Sequence, residues 1–123
     1  MDLENLLGID RLPDGTLKVT SRERRDLEFK ETLDDATLKK CLKTIAAFAN
    51  TMGGTVVFGV TNANRRVCGI DPAAIPDEAH VDDLLCKHMA PAPHVRCHEV
   101  ELDGHRLLAL EVEKVSMPPV LCI

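Results

Sequence analysis

The chain has 123 residues, 45% of them apolar and 28% charged, with no Trp, no Tyr and three Phe. That composition suits one folded domain with an aliphatic core, and it nearly excludes recognition of bases by stacking on aromatic side chains. The net charge of -5 argues against wholesale polyanion binding, but it is uneven: residues 1–66 carry 11 Lys and Arg against 10 Asp and Glu, and residues 67–123 carry 4 against 10.

In chain order, residues 1–20 read as a short helix or strand followed by a hairpin. Pro13-Asp14-Gly15 is turn chemistry, and Thr16-Leu17-Lys18-Val19 alternates as a half-buried strand does. The run Ser21-Arg22-Glu23-Arg24-Arg25-Asp26 is almost wholly charged and reads as a solvated or phosphate-facing loop. Leu27-Glu28-Phe29-Lys30 alternates again, with Leu27 and Phe29 toward a core and Glu28 and Lys30 sharing the other face. Thr32, Asp34 or Asp35 can cap the next helix.

That helix is predicted over 36–50 as one piece. Leu38, Cys41, Leu42, Ile45, Phe48 and Ala49 form its apolar stripe, and Lys39, Lys40 and Lys43 lie off it. Asn50 and Gly53-Gly54 stop it, and Val56-Val57-Phe58 follows as a strand covered on both faces. Val67-Cys68-Gly69-Ile70 is predicted to pair with that strand across an Asn-rich turn that carries Arg65 and Arg66. A second helix is predicted over 77–89, with Cys86 on its buried side, and Pro91 and Pro93 close it.

Residues 95–102 and 105–112 read as two strands around Asp103-Gly104, a strong hairpin signal. Val95 and Cys97 are out of phase with Val100 and Leu102, so a bulge near Cys97-His98 is expected. Val120-Leu121-Cys122-Ile123 reads as a strand cut short. It points to a homodimer or to further domains of a longer protein.

The five cysteines are scattered and form no C-x-x-C pair, which fits a reduced cytoplasmic setting. The acidic start Met1-Asp2-Leu3-Glu4 resembles no signal peptide, and no membrane span is expected. The fold expected is α+β: a small mixed sheet against two main helices, with an N-terminal hairpin.

Glu28-Phe29-Lys30, Ala47-Phe48-Ala49-Asn50-Thr51, Gly53-Gly54, Phe58-Gly59-Val60 and Gly69-Ile70 stand in an order and spacing that resembles the Schlafen-type AlbA-like domain, also called the divergent AAA-type DNA-binding domain. The likeness runs over 21–119 and includes Pro118-Pro119. It implies a single compact AlbA-like α+β domain, N-terminal in a longer chain. It also implies a non-catalytic DNA-binding module of a transcriptional regulator.

One branch, the animal Schlafens, has members that cleave RNA with three carboxylates. Two of them stand five residues apart, and the second belongs to the Glu-Phe-Lys element. The resemblance thereby implies Glu23 and Glu28 as an alternative catalytic pair. At the third position this chain has Thr61-Asn62, and an amide brings no negative charge to a hard divalent cation. The nuclease reading is weakened and stays open as the alternative, as does a partner-binding or oligomerisation role.

The candidate nucleic-acid contacts are Lys39, Lys40 and Lys43, joined by Lys30, Arg65, Arg66, Arg24 and Arg25. Contacts of this kind meet phosphates without reading sequence. Gly53-Gly54 reads first as a helix stop and tight turn. No Gly-Lys-Ser/Thr follows it and no G-x-G-x-x-G is present, so neither a P-loop nor a dinucleotide site is expected. His88, His94, Cys97 and His98 match no standard zinc spacing. No cofactor or metal is expected.

Overall fold

The structure, a computed structural model, describes residues 1–116 and 119–123. Its elements are α1 (Leu3–Leu7), β1 (Ile9–Arg11), β2 (Leu17–Val19), β3 (Leu27–Lys30), α2 (Asp35–Lys40), α3 (Leu42–Asn50), β4 (Gly54–Phe58), α4 (Glu78–His88), β5 (Met89–Ala90), β6 (Val95–Leu102), β7 (His105–Val112) and β8 (Leu121–Cys122). A four-stranded sheet in the order β3-β4-β7-β6 carries the fold. β3 and β4 run parallel, joined by α2 and α3 as the crossover, and the other pairs are antiparallel. β1 and β2 form the expected N-terminal hairpin, and α1 precedes it.

Both faces of the sheet are covered, which is why its central strands lack polar alternation. Val56, Phe58, Leu108 and Leu110 point to one face, where Leu38, Cys41, Ile45, Phe48, Val81 and Leu85 of the helices meet them. Val57, Leu107 and Ala109 point to the other, under α1 and the N-terminal hairpin, with Leu27 and Phe29 beside them. The mixed α+β architecture read from the sequence is the one observed.

Four local expectations are corrected. The helix over 36–50 is broken at Cys41, whose N–H turns to the carbonyls of Thr37 and Leu38 and whose ψ of -7° tightens the turn. Val67-Cys68-Gly69-Ile70 is not a strand. Val67 makes one bridge to Val60, and then Gly59 and Gly69, both at positive φ, fold the segment so that Cys68 and Gly69 donate to one carbonyl.

No bulge interrupts β6, since its register with β7 is unbroken from Val95 to Leu102. The phase change has a different cause. Val95 and Cys97 pack on the helix face, Val100 and Leu102 on the other, so each half of one regular strand is covered on a different side. Cys86 is exposed, because the buried stripe of α4 runs through Val81 and Leu85.

The C-terminal apolar run is paired. Leu121 and Cys122 form a ladder with Met89 and Ala90, and Val120 is buried, while Leu121 and Ile123 stay exposed. Met117 and Pro118, the latter part of the Pro118-Pro119 likeness, lie outside the described residues. No helix is long and apolar enough to cross a membrane among the described residues.

Candidate nucleic-acid interface

The basic residues of the α2–α3 junction are presented by a well-capped helix start. The Asp34 carboxylate accepts from the Thr37 N–H at 2.7 Å and from its hydroxyl at 2.8 Å. Those two bonds hold its pKa below the usual carboxylate value, the backbone bond first. Lys39 and Lys40 sit in the last turn of α2, where a cation suits the helix dipole, and Lys43 follows on α3. All three are exposed, and among the described residues none has a carboxylate within ion-pair reach.

Beneath the junction, Cys41 is wholly buried, and burial raises its thiol to about 11. Lys30 opposes that rise and Glu28 adds to it, so the polar face of β3 lies under the junction. Glu28 and Lys30 are half-buried, whereas Leu27 and Phe29 are buried on the opposite face, as the alternation predicts.

The other candidates are placed differently. Arg24 is paired with Asp26 at 2.8 Å. Arg25 lines an apolar recess of about 410 Å³ with Ala47, Phe48, Thr51 and Met52. Arg65, at a left-handed φ of 53°, donates from Nε to the Val19 carbonyl, and Arg66 donates to Thr16 Oγ1 at 2.8 Å. Both arginines are therefore tied to the N-terminal hairpin rather than to the helices.

A pattern in the ion pairs emerges that residue counting alone does not reveal. Arg11, Lys87, Arg96 and Arg106 each meet a carboxylate. Between residues 18 and 66 stand ten Lys and Arg against six Asp and Glu, net +4, and among the described residues only Arg24 of those ten is in an ion pair.

Glu23 and Glu28 serve different parts of β3. The Glu23 carboxylate accepts from the Phe29 N–H at 3.4 Å along the outer strand edge. Glu28 Oε2 is buried without a hydrogen-bond partner among the described residues. Asn62 is exposed in the turn after Val60. No group of three His, Cys, Asp or Glu is gathered as metal ligands among the described residues.

Gly53-Gly54 is a helix stop. Gly53 takes a φ of 79° and its N–H is committed to the Phe48 carbonyl at 2.7 Å, while Gly54 opens β4. Asn50 does more than end the helix, which the sequence reading missed. Its amide accepts from the Val120 N–H at 2.7 Å and donates to the Val120 carbonyl at 2.9 Å, clamping the C-terminal segment to α3. A side-chain amide at a helix end carries no sequence signal for a partner seventy positions away.

The Schlafen, AlbA_2 family matches residues 23–121, most of the chain. The chain belongs to this family. An uncharacterized ATP-binding protein from Ureaplasma parvum is 35% identical over 60 residues, which is 49% of this chain and 16% of that protein. The crystal structure of the DIP2311 protein from Corynebacterium diphtheriae superposes with a TM-score of 0.63 at 21% identity, over 96% of this chain and 22% of that one. The solution structure of the N-terminal domain of a Nitrosomonas europaea protein, described as related to the ATP-dependent DNA helicase RecG, gives a TM-score of 0.53 at 19% identity. That match covers 79% of this chain and 68% of that one. The chain thus spans less than a quarter of the Ureaplasma protein and of the DIP2311 chain. The two solved structures share its fold.

Proposed function

We propose that this Schlafen AlbA-like domain binds nucleic acid, DNA foremost, by its phosphate backbone. In this reading it is the N-terminal, non-catalytic module of a longer cytoplasmic transcriptional regulator, paired as a homodimer or joined to further domains. The observation that carries the proposal is the set of unpaired cations at Lys39, Lys40 and Lys43. Among the described residues four of the seven other exposed cations, Arg11, Arg24, Lys87 and Arg96, have a carboxylate partner, and cations left free are those able to release counterions from a polyanion. A fold neighbour described as helicase-related supports the same reading. The ATP-binding description of the Ureaplasma relative does not transfer, because this chain spans a small share of that protein and no Gly-Lys-Ser/Thr follows Gly53-Gly54 in its sequence.

Filter binding of the purified chain to duplex DNA, single-stranded DNA and RNA at low and moderate salt tests the proposal. Retention that fades with salt supports it. Lack of retention of any nucleic acid at low salt removes it.

A second reading, metal-dependent RNA cleavage, is favoured by the buried unpartnered oxygen of Glu28. Incubation with structured RNA and Mg²⁺ or Mn²⁺ decides it. Cleavage lost in Glu28→Ala supports this reading, and an uncut substrate ends it.

A further inference from the structure

We propose that the outer edge of β6 is a docking site for a short, extended, basic segment of a partner protein, which adds to the sheet as a fifth strand. β6 ends the sheet order, and its eight residues pair with β7 without a break. The His94 carbonyl accepts from the Glu113 N–H at 3.1 Å, which sets the phase of the ladder. Arg96, His98, Val100 and Leu102 therefore turn their peptide groups to β7, while Cys97, Glu99 and Glu101 turn theirs outward. The Cys97 N–H is taken by the Glu78 carboxylate at 2.9 Å. Among the described residues no acceptor meets the N–H of Glu99 or Glu101.

The opposite edge of the sheet is treated differently. Along β3, Arg24 and Leu27 exchange both backbone hydrogen bonds and Glu23 takes the Phe29 N–H. One edge is thus closed by its own loop, and the other is left open as a template for a further strand. A groove of about 550 Å³ runs beside residues 97–100, with Met1, Asp2 and Glu4 on its far wall.

Charge selects the occupant. Besides burial, the carboxylates of Glu78, Asp82, Glu99 and Asp77 all act to raise the Cys97 thiol, which places four acids around the start of this edge. Arg106 offsets Glu99 and Glu101 in part. A second copy paired through the same edge would set Glu99 and Glu101 against their equivalents, and like charges across strands are unfavourable. Nucleic acid is repelled for the same reason. A segment alternating Lys and Val satisfies the site: lysines face the carboxylates and valines face Met1 and Val100.

The probe is acetyl-Lys-Val-Lys-Val-Lys-amide, titrated into the full chain while backbone amide shifts are followed by NMR. The Glu99 and Glu101 amides are expected to shift saturably, and those of His98 and Val100 far less. The same peptide with Glu for Lys should leave all four unmoved. Glu99→Pro removes an outward N–H without touching the β6–β7 ladder, and it should weaken binding about tenfold. Should that variant misfold, the double variant Glu99→Lys, Glu101→Lys should reverse the preference toward the acidic peptide. Shifts confined to other elements, equal response to both peptides, or dimerisation through β6 in sedimentation overturn the proposal.

Discussion

Replacing Lys39, Lys40 and Lys43 together by Gln tests the basic junction most directly. Each lysine is exposed and unpaired, so its removal breaks no ion pair, and Gln keeps a comparable helix propensity. The melting temperature should therefore fall only slightly, through the lost attraction of Lys39 and Lys40 to the helix dipole, while binding changes. For each duplex phosphate contacted, the slope of log K against log salt gains about -0.9, so three contacts contribute about -2.7. Such a contribution amounts to a roughly 40-fold loss of affinity between about 50 and 200 mM salt. The triple variant should lose that part of the slope, or about 2.1 on single strands. Fluorescence anisotropy with a labelled oligonucleotide at several salt concentrations measures it. Lys87→Gln, drawn from the Lys87–Asp83 pair on acidic α4, serves as the control and should leave the slope in place. A triple variant whose slope equals that of the parent refutes the assignment of phosphate contacts to this junction, even if both still bind.

Asn50→Ala removes both bonds to Val120, and at about 1 kcal/mol each the loss is roughly 2 kcal/mol. Hydrogen exchange at the Val120 amide should accelerate strongly in that variant, and unchanged protection would show that the clamp is dispensable. Asp34→Ala should lower the melting temperature in a pH-dependent way. The folded pKa of Asp34 is depressed by its bonds to Thr37, so its stabilisation is present above the unfolded carboxylate value near about 4 and fades as pH falls through the folded value. Parent and variant should converge in acid, and a constant gap down to about pH 2 counts against the cap. In alkylation at mildly alkaline pH, read by mass spectrometry, exposed Cys86 and Cys122 should react first. Cys41 is buried with its thiol raised to about 11, and should react only on unfolding. Early labelling of Cys41 would show that the junction opens in the native state.

Much of the fold was legible because hydrophobic periodicity reports burial directly. The apolar run at Val56-Val57-Phe58 announced a strand covered on both faces, and the alternation at Leu27–Lys30 placed Glu28 and Lys30 together. The errors arose where one pattern admits two causes. A phase change in β6 reads equally as a bulge or as a regular strand whose cover switches sides, and only the packing partners decide. The break at Cys41 leaves the apolar stripe intact, so no side-chain pattern reports it. For the candidate site, the lysines were visible as residue types off an apolar stripe. What composition did not report was which cations are already satisfied, because the partners of Arg11, Arg96 and Arg106 come from distant positions or a neighbouring strand.

The overall charge of -5 fails as an argument against a polyanion for a related reason. The free cations Lys39, Lys40 and Lys43 stand at the junction above β3, and Glu99 and Glu101 of β6 belong to the opposite edge of the sheet, while α4 reaches both, with Glu78 on Cys97 and His80 3.1 Å from Asp35 of α2. Three inter-strand spacings of about 4.8 Å separate the two edge strands by roughly 14 Å. At physiological ionic strength the screening length is about 8 Å, so the acidic edge only weakly offsets the potential at the basic one. Its effect is directional: a phosphate backbone approaching from the β6 side meets repulsion, and one approaching from the β3 side does not. The same separation lets two partners of opposite charge occupy the domain together. Phosphates at Lys39, Lys40 and Lys43 leave the open edge at Glu99 and Glu101 free for a basic strand, so the two should bind without competing.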